Sequence, residues 1–530
     1  MHGFALDADG RKMSKSFGNV VTPEEVMNQF GVDVLRFYVL WANAPWDDLK
    51  FNWDSVKTIH RTLNILWNVY RFPLPYMVLD SFEPASGAGG LWDDSFVRTH
   101  VRDMPEEDRW IISRVNSLAR TTAADMQEYY LHKVTRALAA FILEDLSRWY
   151  VQLVRPRMWL EEDSPEKRYA YETVYYVMRR LIALLAPFTP HIAEEIYRNL
   201  RLAGDPESIH MLDWPEADDS LIDSRLEADM AIIQSFDDAV ATARQNGRRK
   251  LRWPVSETVV VTGSNEVKAA LEGLNDLALN RANARTVGGV VTGRWDRILW
   301  QAEPVMRAIG PEFGKEGGPK VKALIESADG TALKAAIERD GKTQIDGYEI
   351  AARHVTFAEA LPPEGVFAAP MKDATVYVDV TLTPALEAEG GYAREVIRRI
   401  QEMRRQLDLN VDDFIVAAVD VADERVASLI AEEEWQKEIA GGEVRAAALT
   451  VRRNGGEKPA EPLRSRRIGM WKACRCRSAS HAPVSDRIRA APSSVEKRGV
   501  SSGSRIQVLT ASTVSPVRGG LYPFFMHSSR

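Results

Sequence analysis

Apolar residues recur at spacings of three and four through most of residues 105–200. The pattern runs through 108–130, 132–160 and 165–200, each long enough for more than about five helical turns. Residues at these spacings share one face of a helix, and an apolar face must be buried. The pattern therefore predicts three or four long antiparallel helices with short loops, which make a bundle.

Two shorter helices are predicted before this bundle. Thr22 is a candidate N-cap, Pro23 would take the first helical position, and Glu25 lies three residues after the cap. Gly31 is expected to end this helix. A second helix begins near Asp33, which is spaced to pair with Arg36 on one helix face, and the alternative is a functional role for the two.

The pattern changes after Pro254. Short strand-like segments such as 258–262 and 374–382 alternate with short helical ones such as 332–340, which predicts an α+β domain. Residues 464–530 are rich in Ser and Arg and show no sustained periodicity, so we expect disorder there. A translation frame that departs from the natural one would explain this composition, and a genuine basic RNA-binding tail is the alternative.

The composition is that of an ordinary soluble protein. Of 530 residues, 45% are hydrophobic and 27% charged, and the net charge of −7 averages an acidic body and a basic tail. We expect a cytoplasmic protein, since no apolar run is long enough for a membrane span and the N-terminus is not a secretory signal. Cys474 and Cys476 form a lone C-x-C, which lacks two ligands for a structural zinc, so no metal is predicted.

Residues 9–19 form the strongest candidate for chemistry. Lys12 and Lys15 flank a Met-Ser pair that ends in Ser14. Ser16 follows Lys15 directly, and a Gly-Asn turn comes next. A flexible, cationic segment rich in donors suits a polyphosphate, and an ammonium group can follow charge as it moves between phosphate oxygens. The alternative is a solvated surface pair of lysines.

Two further groups are candidates for RNA contact. In the first, Pro156 is expected to kink or end its helix and to turn Arg155, Arg157 and Trp159 outward for phosphate pairing and base stacking. The alternative is that the aromatic residues belong to the core and the arginines extend past them to solvent.

The second group follows a predicted helix that ends near residue 246. It has four cations in five positions and an adjacent Trp: Arg248, Arg249, Lys250, Arg252 and Trp253. These residues would contact an RNA backbone, and substituting Arg249, Lys250 and Arg252 is expected to weaken RNA binding. A purely structural explanation is that cations complement the dipole at the helix C-terminus.

The order Lys12-Met13-Ser14-Lys15-Ser16 resembles the signature loop of class I aminoacyl-tRNA synthetases. The sequence Gly-x-Asp-x-Leu-Arg-Phe-Tyr at 31–38 is similar to that of the isoleucine, leucine, valine and methionine group. Segments 44–51, 62–72 and 250–254 resemble the isoleucine enzymes, and 310–315 and 391–395 resemble their archaeal or eukaryote-like type. The resemblance extends to about residue 453.

This resemblance implies ATP-dependent attachment of isoleucine to its tRNA, with Lys12 and Lys15 as catalytic residues. Lys12, Ser14, Lys15 and Ser16 would bind ATP, used with Mg²⁺, and the partners would be isoleucine tRNA, ATP and isoleucine. The protein is expected to be a monomer. The implied fold is mainly α with an α+β part. Its predicted domains are the end of a class I catalytic domain (1–55), an α-helical anticodon-binding domain (56–255), an α+β tRNA-contacting domain (256–453) and a disordered basic tail (454–530).

The sequence also departs from the family. It contains neither the His-x-Gly-His signature of the nucleotide-binding domain nor an editing insertion, so the resemblance matches the C-terminal half of a synthetase. We expect this chain to be inactive alone, and whether Met1 is the natural start stays open. The alternatives are a non-catalytic tRNA-binding module and a fragment of a synthetase specific for valine or methionine.

Overall fold

The structure, a computed structural model, describes most of residues 3–453. The described segments are 3–159, 164–251, 253–362, 365–381, 392–407, 413–421, 424–431 and 444–453, with a few single residues between them and strands at 494–498 and 505–509. The chain divides into two compact units, residues 1–224 with 393–530, and residues 225–392. The domain boundaries predicted at 55, 255 and 453 stay predictions.

A two-stranded parallel sheet lies at the start of the first unit. Strand β1 (Ala5–Leu6) pairs with β2 (Leu49–Lys50). Helices α1 (Pro23–Phe30) and α2 (Val32–Ala42) lie between the two strands in sequence. The predicted cap of α1 is confirmed, because the Thr22 hydroxyl accepts from the Glu25 amide and the Glu25 carboxylate accepts from the Thr22 amide, both at 3.3 Å.

Long helices then form the predicted bundle. In chain order they are α3 (Trp53–Arg71), α4 (Leu74–Leu79), α5 (Ser95–His100), α6 (Glu106–Gln127), α7 (Leu131–Ala140), α8 (Val151–Trp159), α9 (Pro165–Leu185) and α10 (Pro190–Leu200). Helix α6 packs against α7 and α9, and α9 packs against α8 and α10. The core between them contains large buried side chains such as Trp110, Tyr150 and Tyr176. The prediction of a helical bundle is therefore confirmed.

The helix that contains Pro156 differs from the prediction. A π-helical stretch, Phe141–Tyr150, connects α7 to α8, and α8 continues through Pro156 to Trp159. Of the two effects expected of Pro156, a kink or a helix end, the helix end is wrong. An interior proline costs about 3 kcal/mol. Burial of the flanking Val154 and Met158 contributes about as much and keeps the backbone helical.

A buried carboxylate joins α2 to α10. Asp33 is only 9% exposed, and it accepts from the His191 amide (3.4 Å), the His191 ring Nδ1 (3.0 Å) and the Ile192 amide (2.8 Å). Asp33 therefore caps the N-terminus of α10. Thr189, the residue just before this helix, makes no capping hydrogen bond with its side chain. Arg36 donates to the Pro187 carbonyl oxygen at 2.9 Å. The predicted pair of Asp33 with Arg36 is replaced by these contacts with the turn before α10.

The second unit, residues 225–392, contains most of the sheet structure. Its elements are α11 (Ser224–Asn246), β3 (Val255–Thr262), α12 (Asn265–Gly273), α13 (Asn275–Ala282), β4 (Ala284–Val291), β5 (Leu299–Pro304), α14 (Met306–Ser327), α15 (Gly330–Asp340), β6 (Lys342–Ile345), β7 (Tyr348–Ala351), β8 (Val355–Ala360), β9 (Val366–Met371) and β10 (Ala374–Asp379). One sheet has the order β4-β3-β10-β9, with β3 and β4 parallel and the other pairs antiparallel. The predicted α+β character is confirmed.

The C-terminal residues of the first unit form another sheet. Its elements are α16 (Tyr392–Gln406), β11 (Ile415–Val421), α17 (Glu424–Ile430), β12 (Ala446–Arg453), β13 (Ser494–Arg498) and β14 (Arg505–Leu509), and the strand order is β12-β11-β14-β13. The predicted disordered tail, 454–530, lies mostly outside the described residues. Within it, β13 and β14 were not predicted from the sequence.

None of the helices in the described segments is long and apolar enough to span a membrane.

Replacing Asp33 with Ala is expected to loosen the start of α10. The substitution removes a charged acceptor from two backbone amides, which lowers the free energy of local opening by about 2 kcal/mol. Because local opening governs the exchange of such amides, their exchange should become about thirtyfold faster. Hydrogen–deuterium exchange of a peptide covering 187–196 measures this. The control is Asp54→Ala, since Asp54 is 88% exposed and its ion pair with Lys57 is worth less than about 1 kcal/mol. Unchanged exchange in Asp33→Ala would contradict the capping role.

Candidate functional site

The lysine-rich loop, residues 12–19, follows a tight turn after β1. The Gly10 amide donates to the Asp7 carbonyl (3.0 Å), the Asp7 amide to the Arg11 carbonyl (2.8 Å), and Leu6 bridges to Lys12. Gly10 has a φ of +84°, a conformation that glycine adopts without strain. The turn carries the chain back along β1, so the loop starts beside the small parallel sheet.

Asn19 holds the two ends of the loop together. Its side-chain oxygen accepts from the Ser14 amide (2.9 Å), while its Nδ2 donates to the Asp7 carboxylate (2.8 Å) and the Lys12 carbonyl (3.3 Å). Gly18, just before it, has a φ of +65°, as the predicted turn requires. One amide side chain thus fixes three points of the loop.

The two serines lie inside the loop. Ser14 caps a short 3-10 helix, Lys15–Phe17, by accepting from the Phe17 amide at 3.4 Å. The Ser14 and Ser16 hydroxyl oxygens lie 3.0 Å apart. These hydroxyl groups shape the loop and remain near its surface, where each can also bond a ligand oxygen.

Both lysines of the loop are exposed. Lys12 Nζ lies 4.5 Å from the centroid of the Phe4 ring, a cation–π contact. Within the described residues, neither Lys12 nor Lys15 makes an ion pair with a carboxylate. Their ammonium groups are therefore available to an anion, and the geometry is compatible with phosphate binding.

The pKa of Asp7 is lowered from its usual 3.8, chiefly by the hydrogen bond from Asn19 and also by the amide of Arg11. A carboxyl group whose pKa falls on folding stabilises the fold at pH values above the unfolded pKa. That contribution is lost as the pH falls through the lower, folded value. At neutral pH the ionised Asp7 therefore helps to order the loop.

The first predicted RNA-contact group lies within the bundle. Arg157 makes two hydrogen bonds to the Asp108 carboxylate, at 2.7 and 2.8 Å, and pairs with Glu107 at 3.1 Å. Asp108 is fully buried and also accepts from the Tyr150 hydroxyl at 2.6 Å. A buried carboxylate requires such partners, and this need explains why Arg157 points inward.

Arg155 and Trp159 lie beside this network and are half-buried. The Arg155 guanidinium lies 4.8 Å from the Phe72 ring and 5.8 Å from the Trp159 ring. The expectation that Pro156 turns Arg157 outward is wrong, because the partners of Arg157 are inside the bundle, while Arg155 and Trp159 are partly exposed. A role for the three in RNA binding stays a prediction, and their contacts favour a structural role.

The second predicted group, residues 248–253, is organised by a residue that the sequence analysis missed. Arg244 is 1% exposed and donates to the carbonyl oxygens of Ala282 (2.8 Å), Lys250 (2.8 Å), Leu251 (2.9 Å) and Trp253. Its position in the last turn of α11 suggested only a charge near a helix end. No sequence signal identifies carbonyl groups as its partners.

The cations of this second group differ in their surroundings. Arg248 and Lys250 are exposed, and Arg248 has a φ of +51°. Arg249 is half-buried and donates to the Val380 carbonyl at 2.9 Å, and Trp253 makes an edge contact with Tyr392. Arg252 lies outside the described residues. Among the described members of the group, Arg248 and Lys250 are therefore the cations most accessible to an anion.

Among the described residues, no group of three or more His, Cys, Asp or Glu side chains is placed to hold a metal ion. Cys474 and Cys476 lie outside the described residues.

Replacing Asn19 with Ala is expected to raise the pKa of Asp7 toward its usual value, because the largest cause of the lowering is removed. A ¹³C NMR titration of labelled Asp carboxyl groups measures the pKa. Asn246→Ala changes an exposed Asn at the end of α11 and is the matched control, with no effect on Asp7. An Asp7 pKa that stays lowered in Asn19→Ala would show that Asn19 does not order the loop.

Comparison with known proteins connects these sites. Residues 108–260 match the family model of the anticodon-binding domain of tRNA ligases, and residues 1–52 match that of the class I tRNA synthetases for I, L, M and V. The isoleucine–tRNA ligase of Methanoculleus marisnigri is 90% identical over 461 residues, which cover 87% of this chain and 43% of that protein. Those of Methanoregula boonei and Methanosarcina barkeri are 59% and 45% identical, each over 85% of this chain.

These ligases are much longer than the part they share with this chain. The chain covers 43% of the first two relatives and 42% of the third. The shared part includes the lysine-rich loop and the helical bundle, since both family models match there. The chain thus belongs to the class I tRNA synthetases, with isoleucine–tRNA ligases as its relatives.

Proposed function

We propose that this chain acts as part of an isoleucine–tRNA ligase. The observation that carries the proposal is the 90% identity over 461 residues to a protein of that name. The exposed lysines and ordered hydroxyl groups of the loop support it, because this donor set suits the phosphates of ATP. ATP would be used with Mg²⁺, and the substrates would be isoleucine and isoleucine tRNA.

In this reaction a carboxylate oxygen of isoleucine attacks the α-phosphorus of ATP, and pyrophosphate leaves. The resulting adenylate then esterifies a terminal hydroxyl group of the tRNA, with release of AMP. Lys12 and Lys15 would stabilise the negative charge that develops on the phosphate oxygens of the transition state. Ser14, Ser16 and Asn19 would hold the loop in the conformation that presents these ammonium groups.

The tRNA would bind along the helical bundle and the segment after it. The match of residues 108–260 to an anticodon-binding domain supports this placement. Arg248 and Lys250 are our preferred phosphate contacts, with Arg252 and Trp253 retained from the sequence prediction. A monomeric, cytoplasmic enzyme without zinc is part of the same proposal.

A non-catalytic tRNA-binding role is the second candidate. Catalysis in this family depends mainly on holding ATP and the amino acid in place. A chain that does not hold both would bind tRNA without activating isoleucine. The His-x-Gly-His signature expected of the nucleotide-binding domain does not occur in these 530 residues. The bundle needs no such signature to bind RNA.

Isoleucine-dependent ATP–pyrophosphate exchange separates catalysis from binding. The 530-residue chain alone is expected to show no exchange above the background of a Lys12→Ala/Lys15→Ala variant, because the His-x-Gly-His signature does not occur in these 530 residues. The assay follows labelled pyrophosphate entering ATP. Exchange that requires isoleucine and is lost in the double variant would contradict this expectation and would place a complete catalytic site within the chain.

A further inference from the structure

The two lysines of the loop differ in what surrounds their ammonium groups. Lys12 Nζ lies 4.5 Å from the centroid of the Phe4 ring, within the range of a cation–π contact. In the part of the chain that the structure describes, the Lys15 ammonium contacts neither a ring nor a carboxylate. Phe4 is itself 55% exposed, so burial in a core does not account for the place of its ring.

The register of the chain around β1 places this ring beside Lys12. Leu6 and Lys12 face each other across an antiparallel bridge, and Phe4 precedes Leu6 by two residues. Side chains two residues apart in an extended segment point to the same side, so Phe4 and Lys12 are diagonal neighbours on one face. Such neighbours reach each other when one side chain is aromatic and the other is long. The contact therefore follows from the pairing of the two segments.

The backbone that carries the ring is anchored by two hydrogen bonds. The Phe4 amide donates to the Asp48 carboxylate (2.7 Å), and the Phe4 carbonyl oxygen accepts from the Leu49 amide (2.7 Å). Gly3 lies so close to the same segment that an added Cβ atom would collide with the Asp47 carbonyl group. The ring therefore projects from a backbone position that is fixed before any ligand binds.

A ring is well suited to hold an ammonium group that must bind an anion. Its face attracts the cation but carries no net charge, whereas a carboxylate partner would offset the charge of the lysine. The Asp7 carboxylate, at the turn before the loop, is already bonded by the Asn19 side chain (2.8 Å) and the Arg11 amide (2.8 Å). Lys12 therefore keeps its charge and the N–H donors that point away from the ring.

We propose that Phe4 is a positioning residue for Lys12, whose ammonium group it holds in place for a phosphate group of ATP. Holding the long side chain in advance reduces the conformational entropy that is lost when the phosphate binds. The Lys15 side chain has no such support and keeps its freedom to follow charge between phosphate oxygens. This inference rests on the proposed function for its ligand, and it adds a division of roles between the two lysines.

A double-mutant cycle in the full 530-residue chain tests the role of the ring. Phe4→Leu keeps an apolar side chain without an aromatic face and is expected to weaken Mg²⁺–ATP binding by about threefold to fivefold. Phe4→Tyr keeps the ring and should retain the affinity of the unchanged chain. In a Lys12→Ala background, Phe4→Leu should have no further effect, because the ring acts through Lys12. Titration with Mg²⁺–ATP into the millimolar range, followed by NMR of labelled lysine side chains, gives the dissociation constants.

The same NMR spectra report the contact directly. In the free chain, the ring current of Phe4 should displace the ¹³C–¹H signal of the Lys12 ε-methylene group. Phe4→Leu is expected to move this signal toward that of Lys15, while Phe4→Tyr leaves it nearly unchanged. The matched control is Phe82→Leu, which removes a ring that contacts Tyr171 of α9. It should change neither the Lys12 signal nor the affinity for Mg²⁺–ATP.

The possible outcomes separate this inference from the proposed function. Full affinity in Phe4→Leu, or a Lys12 signal that does not respond to it, would overturn the positioning role and leave the proposed function standing. An equal loss of affinity with and without the Lys12 side chain would show that Phe4 acts only on the structure of the loop. If the unchanged chain does not bind Mg²⁺–ATP, the function proposed for the loop fails and this inference fails with it.

Discussion

The buried carboxylate of Asp33 is the interaction on which the arrangement of the first unit depends. A carboxylate removed from water must be compensated by donors, and Asp33 finds them in the first turn of α10, 158 residues away. The position of α2 and the start of α10 are therefore determined together. Arg36 adds a bond from the same helix to the carbonyl of Pro187. The lysine-rich loop directly precedes α1 and α2 in sequence. Because Asp33 joins α2 to α10, the segment that follows the loop is attached to the bundle.

Short-range features of this fold could be predicted from the sequence, and partners distant in sequence could not. The cap of α1 was predicted because Thr22 and Glu25 are three residues apart and satisfy each other. The partner predicted for Asp33 is wrong. Arg36 is close to Asp33 in sequence, whereas its actual partners in α10 are 158 and 159 residues away. The prediction that Arg157 lies at the surface is wrong for the same reason. Its partner, the buried Asp108, is 49 residues away in sequence.

The candidate site shows the same division. The lysines and serines of the loop were identified from their order alone, and the structure places them together at the surface. Asn19 was seen only as part of a turn, although its hydrogen bonds to Ser14, Asp7 and Lys12 order the loop. The sequence does not identify Arg244 as a structural residue, because its partners are backbone carbonyl oxygens that carry no sequence signature. An arginine at a helix end is expected to be exposed, and its burial becomes evident only from the fold of the surrounding backbone.

We propose above all that this chain binds isoleucine tRNA through its helical bundle. The most direct test compares its affinity for an isoleucine tRNA transcript with its affinity for the same transcript carrying the anticodon of another amino acid. We expect a loss of at least about tenfold in affinity, or about 1.4 kcal/mol, when the anticodon is exchanged. Equal affinities for the two transcripts would contradict it.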